Sequence, residues 1–594
     1  MNTYDGKLFI TKLGFGIIEC SKIDKKIKVD KKNLNFNFDD SYVKFKILKE
    51  KDYICYAKII SLPNFKNEIF PGIIYKLKKN IFIYNSKIGK SNLILCESKL
   101  KNLKGNDFVL FKINKLKNKK FYGIIIEKLG EYNDDDALTN YLIKLYNLDL
   151  EFPKKVLLKA DKVVNRYYDE FKTEVQNRKD LRFLCTFTID PNGARDLDDA
   201  VSIFRNKNGF RIHIHIADVS YFLKKNNSID QEAINRSFSV YLPKKVIRML
   251  PPILSENYCS LLPDTDKYAV TTEVNIDNNG NVIDWQTYKS IINSCYKFTY
   301  EEVYNILEGK IKLENLKLLN DLKDLKDLSH LLEKKRLKLP DIKYSEESKK
   351  IMLSYSDYTH KMIEELMILN NILVAKTLSK RNIKYPSRHH PTPNYENNIK
   401  TIELINLLNK SDINLGISSL QSIVDCDERR LRLFNLHCIQ RLLTKAKYNI
   451  DNEGHWALNL SHYSHFTSPI RRLPDLISHR LIFDDTYTDD KLLEILNIVN
   501  ENENNYQKID FLIEKFIMIR FLDNINALDS IYDAIIMDIK NSDIIIFIPD
   551  IFYIHNMLLS EISDEICKIG NKIHVKLIKI IKSTLELKFI YIKN

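Results

Sequence analysis

Ten residues constrain this chain more than any others: DPNGARDLDD, Asp190–Asp199. They follow the apolar run FLCTFTI (183–189) and precede AVSIF (200–204), so the spacing predicts a strand, a tight corner and a second strand. Four carboxylates, Asp190, Asp196, Asp198 and Asp199, crowd that corner. Like charges so close are unfavourable unless cations compensate them. An oxygen-only cluster suits Mg²⁺, with Mn²⁺ as the alternative, and such ions can activate water beside a phosphodiester and stabilise its leaving oxygen. A solvated turn is the plainer reading, but the apolar flanks favour a half-buried one. A calcium-binding EF-hand loop fails, because Ala194 and Arg195 stand where a ligand and a glycine are required.

A second stretch, HFTSPIRRLPDLISHRL (465–481), pairs hydroxyls with guanidinium groups. Ser468 followed by Pro469 predicts a helix start. Thr467, Ser468 and the free amides of that first turn would make an anion site, and Arg471 and Arg472 would add forks suited to phosphate. A capped surface helix with ordinary arginines is the competing reading. His462, His465 and His479 do not stand at a zinc-ligand spacing and read as structural histidines.

Length supplies the frame for these motifs. At 594 residues the chain predicts several domains. The first 130 or so residues read as two groups of about five short strands, such as Lys7–Ile10, Gly16–Glu19, Lys44–Leu48 and Tyr53–Ile60, then Ile73–Tyr75, Ile81–Tyr84, Asn92–Cys96, Phe108–Ile113 and Tyr122–Ile126. That pattern suggests two OB-type barrels. The Lys-rich run 101–120 is either a solvated hairpin or a phosphate-facing edge. A helical connector broken at Pro153 follows, then a mixed α/β region, a low-complexity helical stretch at 311–339, a helix from Lys491 to Leu522, and a third barrel-sized set of strands from Tyr532 to Tyr591. Net charge is +14, compatible with a polyanionic partner; a translated AT-rich genome would show the same Lys- and Asn-rich bias, so the charge alone does not decide it. Nine cysteines stand singly with no CxxC pair, which reads as free thiols in a reducing compartment. No run approaches the ~20 apolar residues of a membrane helix, and Asp5 and Lys7 fall where a signal peptide would be apolar.

Taken together, these motifs resemble the ribonuclease II/ribonuclease R family of exoribonucleases, and its ribonuclease R branch more closely. The resemblance rests on TIDPNGARDLDDAVSI (188–203), HIADVSYFL (215–223), RSFSVYLPKKVIRMLPPILSENYCSLLPD (236–264), MIEELMILNN (362–371) and GHWALNLSHYSHFTSPIRRLPDLISHRLI (454–482), with EKLGEYNDDDALTNYLIKLYNLDLEFP (127–153) upstream. It implies a multidomain α+β chain: cold-shock-like OB barrels at 1–62 and 63–135, a helical connector at 136–177, a mixed α/β RNB catalytic domain at 178–485, a helical segment at 486–525, and a C-terminal OB domain of the ribosomal-S-one type at 526–594.

The same resemblance implies residue roles. Asp190 and Asp199 would hold Mg²⁺, Asp196 would complete the site, and Asp198 would be the carboxylate most critical to hydrolysis, with Arg471 stabilising charge on the scissile phosphate. Tyr241 and Tyr300 would pack against bases near the 3′ end, one of Glu364 and Glu365 would contact the terminal ribose, and Tyr344 would replace a further stacking aromatic. Leu473, Arg248 and Ile17 depart from the family pattern. The implied activity is Mg²⁺-dependent, processive 3′-to-5′ hydrolysis of single-stranded RNA to nucleoside 5′-monophosphates by a cytoplasmic monomer. The alternative is an RNA-binding protein whose catalytic site has decayed. The basic tail and N-terminal extension of longer relatives are not expected.

Overall fold

The computed structural model describes residues 3–11, 15–34, 41–51, 53–61, 68–78, 80–86, 88, 93–97, 102–118, 120–333, 337–345, 350–354, 357–410, 415–483, 485–540, 542–562 and 566–593. Period-2 alternation builds the first barrel. In Ser41–Lys51, Val43 and Phe45 point inward and are buried, while Tyr42 and Lys44 point out. The five strands Thr3–Ile10, Gly16–Glu19, Lys26–Val29, Ser41–Lys51 and Ile54–Ile59 close in the ring order first, second, third, fifth, fourth. The third and fifth run parallel. At Gly6 the wall is too tight for a side chain: a Cβ would lie 2.5 Å from Ile18 Cγ2 and 2.7 Å from the Glu19 carbonyl. Phe70–Leu77, Asn80–Tyr84, Ile94–Cys96, Phe108–Lys117 and Lys120–Gly130 repeat the same ring. The strand expected from Asn92 begins outside the described residues, and its ladder is seen at Ile94–Cys96. Several lysines of the 101–120 run and its neighbour strand are already paired with acids: Lys104 with Glu131 at 2.5 Å and Lys115 with Glu97 at 2.6 Å.

Helices Asp135–Tyr146 and Lys154–Gln176 connect these barrels to a central sheet, with Pro153 at the break. The sheet's longest strand, Val282–Thr299, pairs along its first part with Asp266–Asp277 and near its end with Thr186–Asp190. Asp199–Asn206 and Gly209–Ala217 complete the circuit, so the sheet curls round and closes on itself. The 311–339 stretch forms helix Leu316–Leu332, whose Leu318, Leu322, Leu325 and Leu332 are buried against the main core at helical spacing.

The C-terminal unit, Ile531–Lys540, Asp543–Ile548, Tyr553–Leu558, Lys572–Ile581 and Glu586–Ile592, has the same strand adjacency but is an open ladder among the described residues. Its third and fifth strands meet through side chains instead: Tyr553 and His555 pack on Phe589 with ring centroids 6.1 and 5.2 Å apart.

One helix of 36 residues, Asp489–Asn524, touches every unit. Glu501 pairs with Lys7 of the first barrel at 3.4 Å, and Asn502 donates to Ser237 Oγ at 2.9 Å. Arg520 donates to Asp135 at 2.6 Å and Lys582 of the C-terminal unit reaches Asp523 at 2.6 Å. No helix of the described residues is long and apolar enough to cross a membrane.

Candidate active site

The acidic corner forms as expected. Asp190 ends one strand and Asp199 begins the next, with Gly193 at φ +79° turning the chain between them. Residues far along the sequence fasten the turn. Ser260 Oγ donates to the Arg195 carbonyl at 2.7 Å and accepts from the Leu197 amide at 3.0 Å. Lys297 donates to the Ala194 carbonyl at 2.5 Å. Tyr241 donates to Asp196 Oδ2 at 3.1 Å.

The 467–472 segment reaches this corner, though not as the helix start that Ser468-Pro469 predicts. The helix is Leu473–Ile482, with Pro474 in its first turn, and residues 468–471 form a tight turn before it. Tertiary contacts override the local signal. The Ser468 amide donates to Asp475 Oδ1 at 2.8 Å and the Ile470 amide to Asp198 Oδ1 at 2.9 Å. Arg472, extended at φ −137° and ψ 121°, bridges to Phe238. Two amides that the sequence offers as an anion site are therefore occupied by carboxylates. Arg472 is likewise no phosphate fork: its guanidinium is bound to the buried Asp475 at 2.8 Å. Arg471 is different. It donates to Ser468 Oγ at 3.0 Å, lies 3.5 Å from Asp198 Oδ2 through Nε, and keeps 42% of its side chain exposed. Leu473 is fully buried, so its departure from the family pattern serves packing.

Electrostatics mark the corner as strained. Burial pushes Asp190 up to about 6, with Asp196 adding to the rise against Thr188 and Lys297. Burial and the Asp190 charge push Asp199 up to about 7, against Arg471. Burial holds Asp198 well above the usual carboxylate range despite Arg471 and the Ile470 amide. Asp190 Oδ2 has no hydrogen-bond partner among the described residues, and neither has Asp198 Oδ2 beyond its ion pair. Buried anions short of partners fit a cation. Among the described residues no three His, Cys, Asp or Glu side chains converge as a ready-made cage. Oxygen donors of this kind would suit a hard cation such as Mg²⁺, which takes one or two carboxylates and completes its shell with water and phosphate.

Tyr300 also stands at this corner: burial, Asp199 and Asp190 together push its phenol upward. One face is taken by His360, stacked at 3.8 Å between centroids, and His360 is in turn hydrogen-bonded to Asp357 at 2.9 Å. His360, Glu364, Met367 and Asn371 form one stripe of helix Tyr358–Lys380. The stripe's two ends face the site, His360 on Tyr300 and Asn371 accepting the Phe466 amide at 2.8 Å. Glu364 is exposed on that stripe, whereas Glu365 is buried off it. Tyr344 is not brought to the aspartates; its ring packs on Phe521 of the long helix, 5.2 Å away. His465 and His479 are structural, bonded to Tyr448 at 2.6 Å and to the Phe466 carbonyl at 2.9 Å. Ser260, Lys297 and His360 are missed in the sequence, since nothing local ties them to the acidic corner.

A self-closing mixed sheet with an acidic corner and an arginine turn, flanked by five-stranded barrels, defines an RNB-domain protein. The RNB domain family model matches residues 178–484, more than half of the chain. Ribonuclease R of Chlamydia pneumoniae is 35% identical over 387 residues, covering 63% of this chain and 56% of that relative. Ribonuclease R of Mycoplasma genitalium is 30% identical over 612 residues, covering 93% of this chain and 81% of the relative. The solved structure of Mycoplasma genitalium RNase R in complex with ribose-methylated single-stranded RNA superposes with a TM-score of 0.80 at 24% identity, covering 99% of this chain and all of that one, which shows the common fold. The matched region thus spans little more than half of the Chlamydia relative and most of the Mycoplasma one. The chain belongs to the ribonuclease R family.

Proposed function

We propose that this chain is a Mg²⁺-dependent exoribonuclease that degrades single-stranded RNA processively from its 3′ end to nucleoside 5′-monophosphates, as a cytoplasmic monomer. One observation carries the reading: the Ile470 amide and Arg471 meet Asp198, joining a cationic turn to the carboxylate cluster. Asp190 and Asp199 would hold Mg²⁺, which when bound supplies a water-derived nucleophile and neutralises phosphate charge. Asp198 accepts the Ile470 amide on one oxygen, and its Oδ2, the one near Arg471, would take the proton of the attacking water. The open side of Arg471 would take the charge that grows on the phosphate. Tyr300, beside the aspartates, would pack against the terminal base, and stacking serves any base. Glu364, on the stripe facing the site, would accept the ribose 2′-hydroxyl and so prefer RNA.

A cavity of about 580 Å³ beside Val240 lies between the second barrel, the connector and the long helix. Mycoplasma genitalium RNase R has been solved with single-stranded and with double-stranded RNA, which supports RNA as the substrate class. The test is RNA labelled at either end, incubated with Mg²⁺. A 3′ label should leave at once as mononucleotide, while a 5′ label should stay on a shortening chain until a short end product remains. Internal fragments would overturn the exonuclease reading, and tight RNA binding without cleavage would mark a decayed site.

A further inference from the structure

Two thiols lie outside this site but on the strands that build it. Cys185 immediately precedes Thr186–Asp190, and Cys295 lies within Val282–Thr299. Their sulfurs are 3.8 Å apart. A β-bulge explains the approach. Thr186 faces Ser294 and Phe187 faces Tyr296, so Cys295 is the extra residue with nothing opposite it. A bulge breaks the alternation of side chains, and here it turns Cys295 toward the neighbouring strand. Cys295 is exposed and Cys185 half-buried, so small oxidants can reach the pair. Hydrogen bonding from the Cys185 thiol lowers Cys295 to about 7, against partial burial and with help from the Thr186 amide. The more exposed thiol, Cys295, is therefore the more readily attacking one of the pair. Asp321, paired with Lys317 at 2.5 Å, lies against Cys185, and its charge opposes the lowering at Cys295.

We propose that Cys185 and Cys295 form an oxidation site for hydroperoxides, whose reversible disulfide locks together the two strands that lead to Asp190 and Tyr300. The Cys295 thiolate attacks one oxygen of hydrogen peroxide. The O–O bond breaks, the departing hydroxide takes a proton to become water, and Cys295 becomes a sulfenic acid. The Cys185 sulfur then attacks the Cys295 sulfur. The S–O bond breaks, and the leaving hydroxide takes the Cys185 proton as a second water. Two thiols and one peroxide thus give one disulfide and two waters, and a small dithiol reverses the change.

A disulfide needs sulfurs about 2.05 Å apart, so closure must draw the bulge inward. The parallel ladder beyond it pairs Asp190 with Thr299, next to Tyr300, and its register would shift with the bulge. This coupling rests on the proposed exonuclease activity; formation of the cross-link does not.

The experiment exposes the full chain and its Cys185→Ser and Cys295→Ser variants to hydrogen peroxide, then reads intact mass, mapped peptides and trimming of 5′-labelled RNA. The wild type should lose the mass of two hydrogens and yield a linked Cys185–Cys295 peptide pair. Cys295→Ser should yield neither, and Cys185→Ser should leave a sulfenic acid captured by dimedone. Trimming should fall several-fold on oxidation, recover with dithiothreitol, and stay unchanged in peroxide-treated Cys295→Ser. Equal thiol loss in all three proteins, or sulfinic acid at Cys295 without a cross-link, would overturn the site. A cross-link with undiminished trimming would overturn its coupling to the active centre. A chain that never trims RNA would fail the functional reading while leaving the mass readout intact.

Discussion

The acidic corner and the groove under the first barrel both concentrate charge, but they hold it in opposite ways. At the corner, Asp190 and Asp198 are buried and short of partners, with carboxyl groups pushed upward by burial. The groove, an open space of about 1250 Å³, is lined by Lys7, Lys25, Lys445 and Lys508 with Phe9 and Tyr42. Two of its lysines are already matched to acids: Lys25 to Glu50 at 2.7 Å and Lys7 to Glu501 at 3.4 Å. Phe9 and Tyr42 also supply aromatic faces there, beside the Ile17 that departs from the family pattern. The contrast separates two kinds of dependence. Removing one buried charge changes a strained cluster outright, whereas removing one exposed charge trims a sum of weak terms.

The sharpest break of this contrast is Asp198→Asn. Shape is kept and a charge is lost, so turnover should fall by roughly 10³-fold or more. RNA binding should hold or tighten, because repulsion with phosphate falls. Single-turnover rates and filter binding decide it, and parallel losses would make the residue structural.

Metal removal comes next. Asp190 and Asp199 titrate near 6 and 7 in the folded chain, above the ordinary carboxylate value of about 3.9. Their folded-state pKa values are raised, so their contribution to stability is present at low pH and lost as pH rises through about 6 to 7. The chelated protein should therefore gain more thermal stability from added Mg²⁺ at about pH 8 than at about pH 5.5. A melting shift of equal size at both values would place the ion elsewhere.

Lys297→Met removes both the anchor on the Ala194 carbonyl and a cation near Asp190. Mg²⁺ affinity should weaken by about 10- to 100-fold, the usual cost of losing a supporting group. Activity titrated with Mg²⁺ reads this directly, and saturating metal should restore much of the rate.

For Tyr241, Ala and Phe replacements separate stacking from its hydrogen bond to Asp196. Losing a stack is worth ~1–3 kcal/mol, so Tyr241→Ala should lengthen the smallest end product by about a nucleotide or two, and Phe should restore it. Lys25→Ala marks the weak end of the scale. Its charge is already paired, so binding should change by less than about twofold at moderate salt. A larger loss would show that the groove, not the corner, holds the decisive charge.

The corner was legible because four carboxylates crowded between apolar runs repel one another unless a cation joins them. The turn at 468–471 was not, since Ser-Pro is a sound local helix signal that Asp198 and Asp475 override by taking the amides. Strand Lys26–Val29 escaped for a related reason. It is only four residues long, with Lys26 and Lys28 alternating with Ile27 and Val29, and is held by the strands on either side of it. Both OB-type barrel groups were readable from alternation, while only the helix phase set by His360 and Asn371 tells the exposed Glu364 from the buried Glu365. Tyr344 was drawn by family position alone, and Phe521 lies too far along the chain to warn of the packing that claims it.

The helix Asp489–Asn524 is about 54 Å long at 1.5 Å per residue. Its contacts with Lys7, Ser237, Asp135 and Lys582 fall at points along its length that each demand a particular angle. It therefore works like a camshaft. Inserting one residue near its middle would rotate every later lobe by about 100°, parting Arg520 from Asp135 and Asp523 from Lys582. Seven residues would return the lobes to within about 20° but push them about 10 Å further out. Timing and spacing cannot both be kept, so the length of this shaft is fixed by the parts it drives.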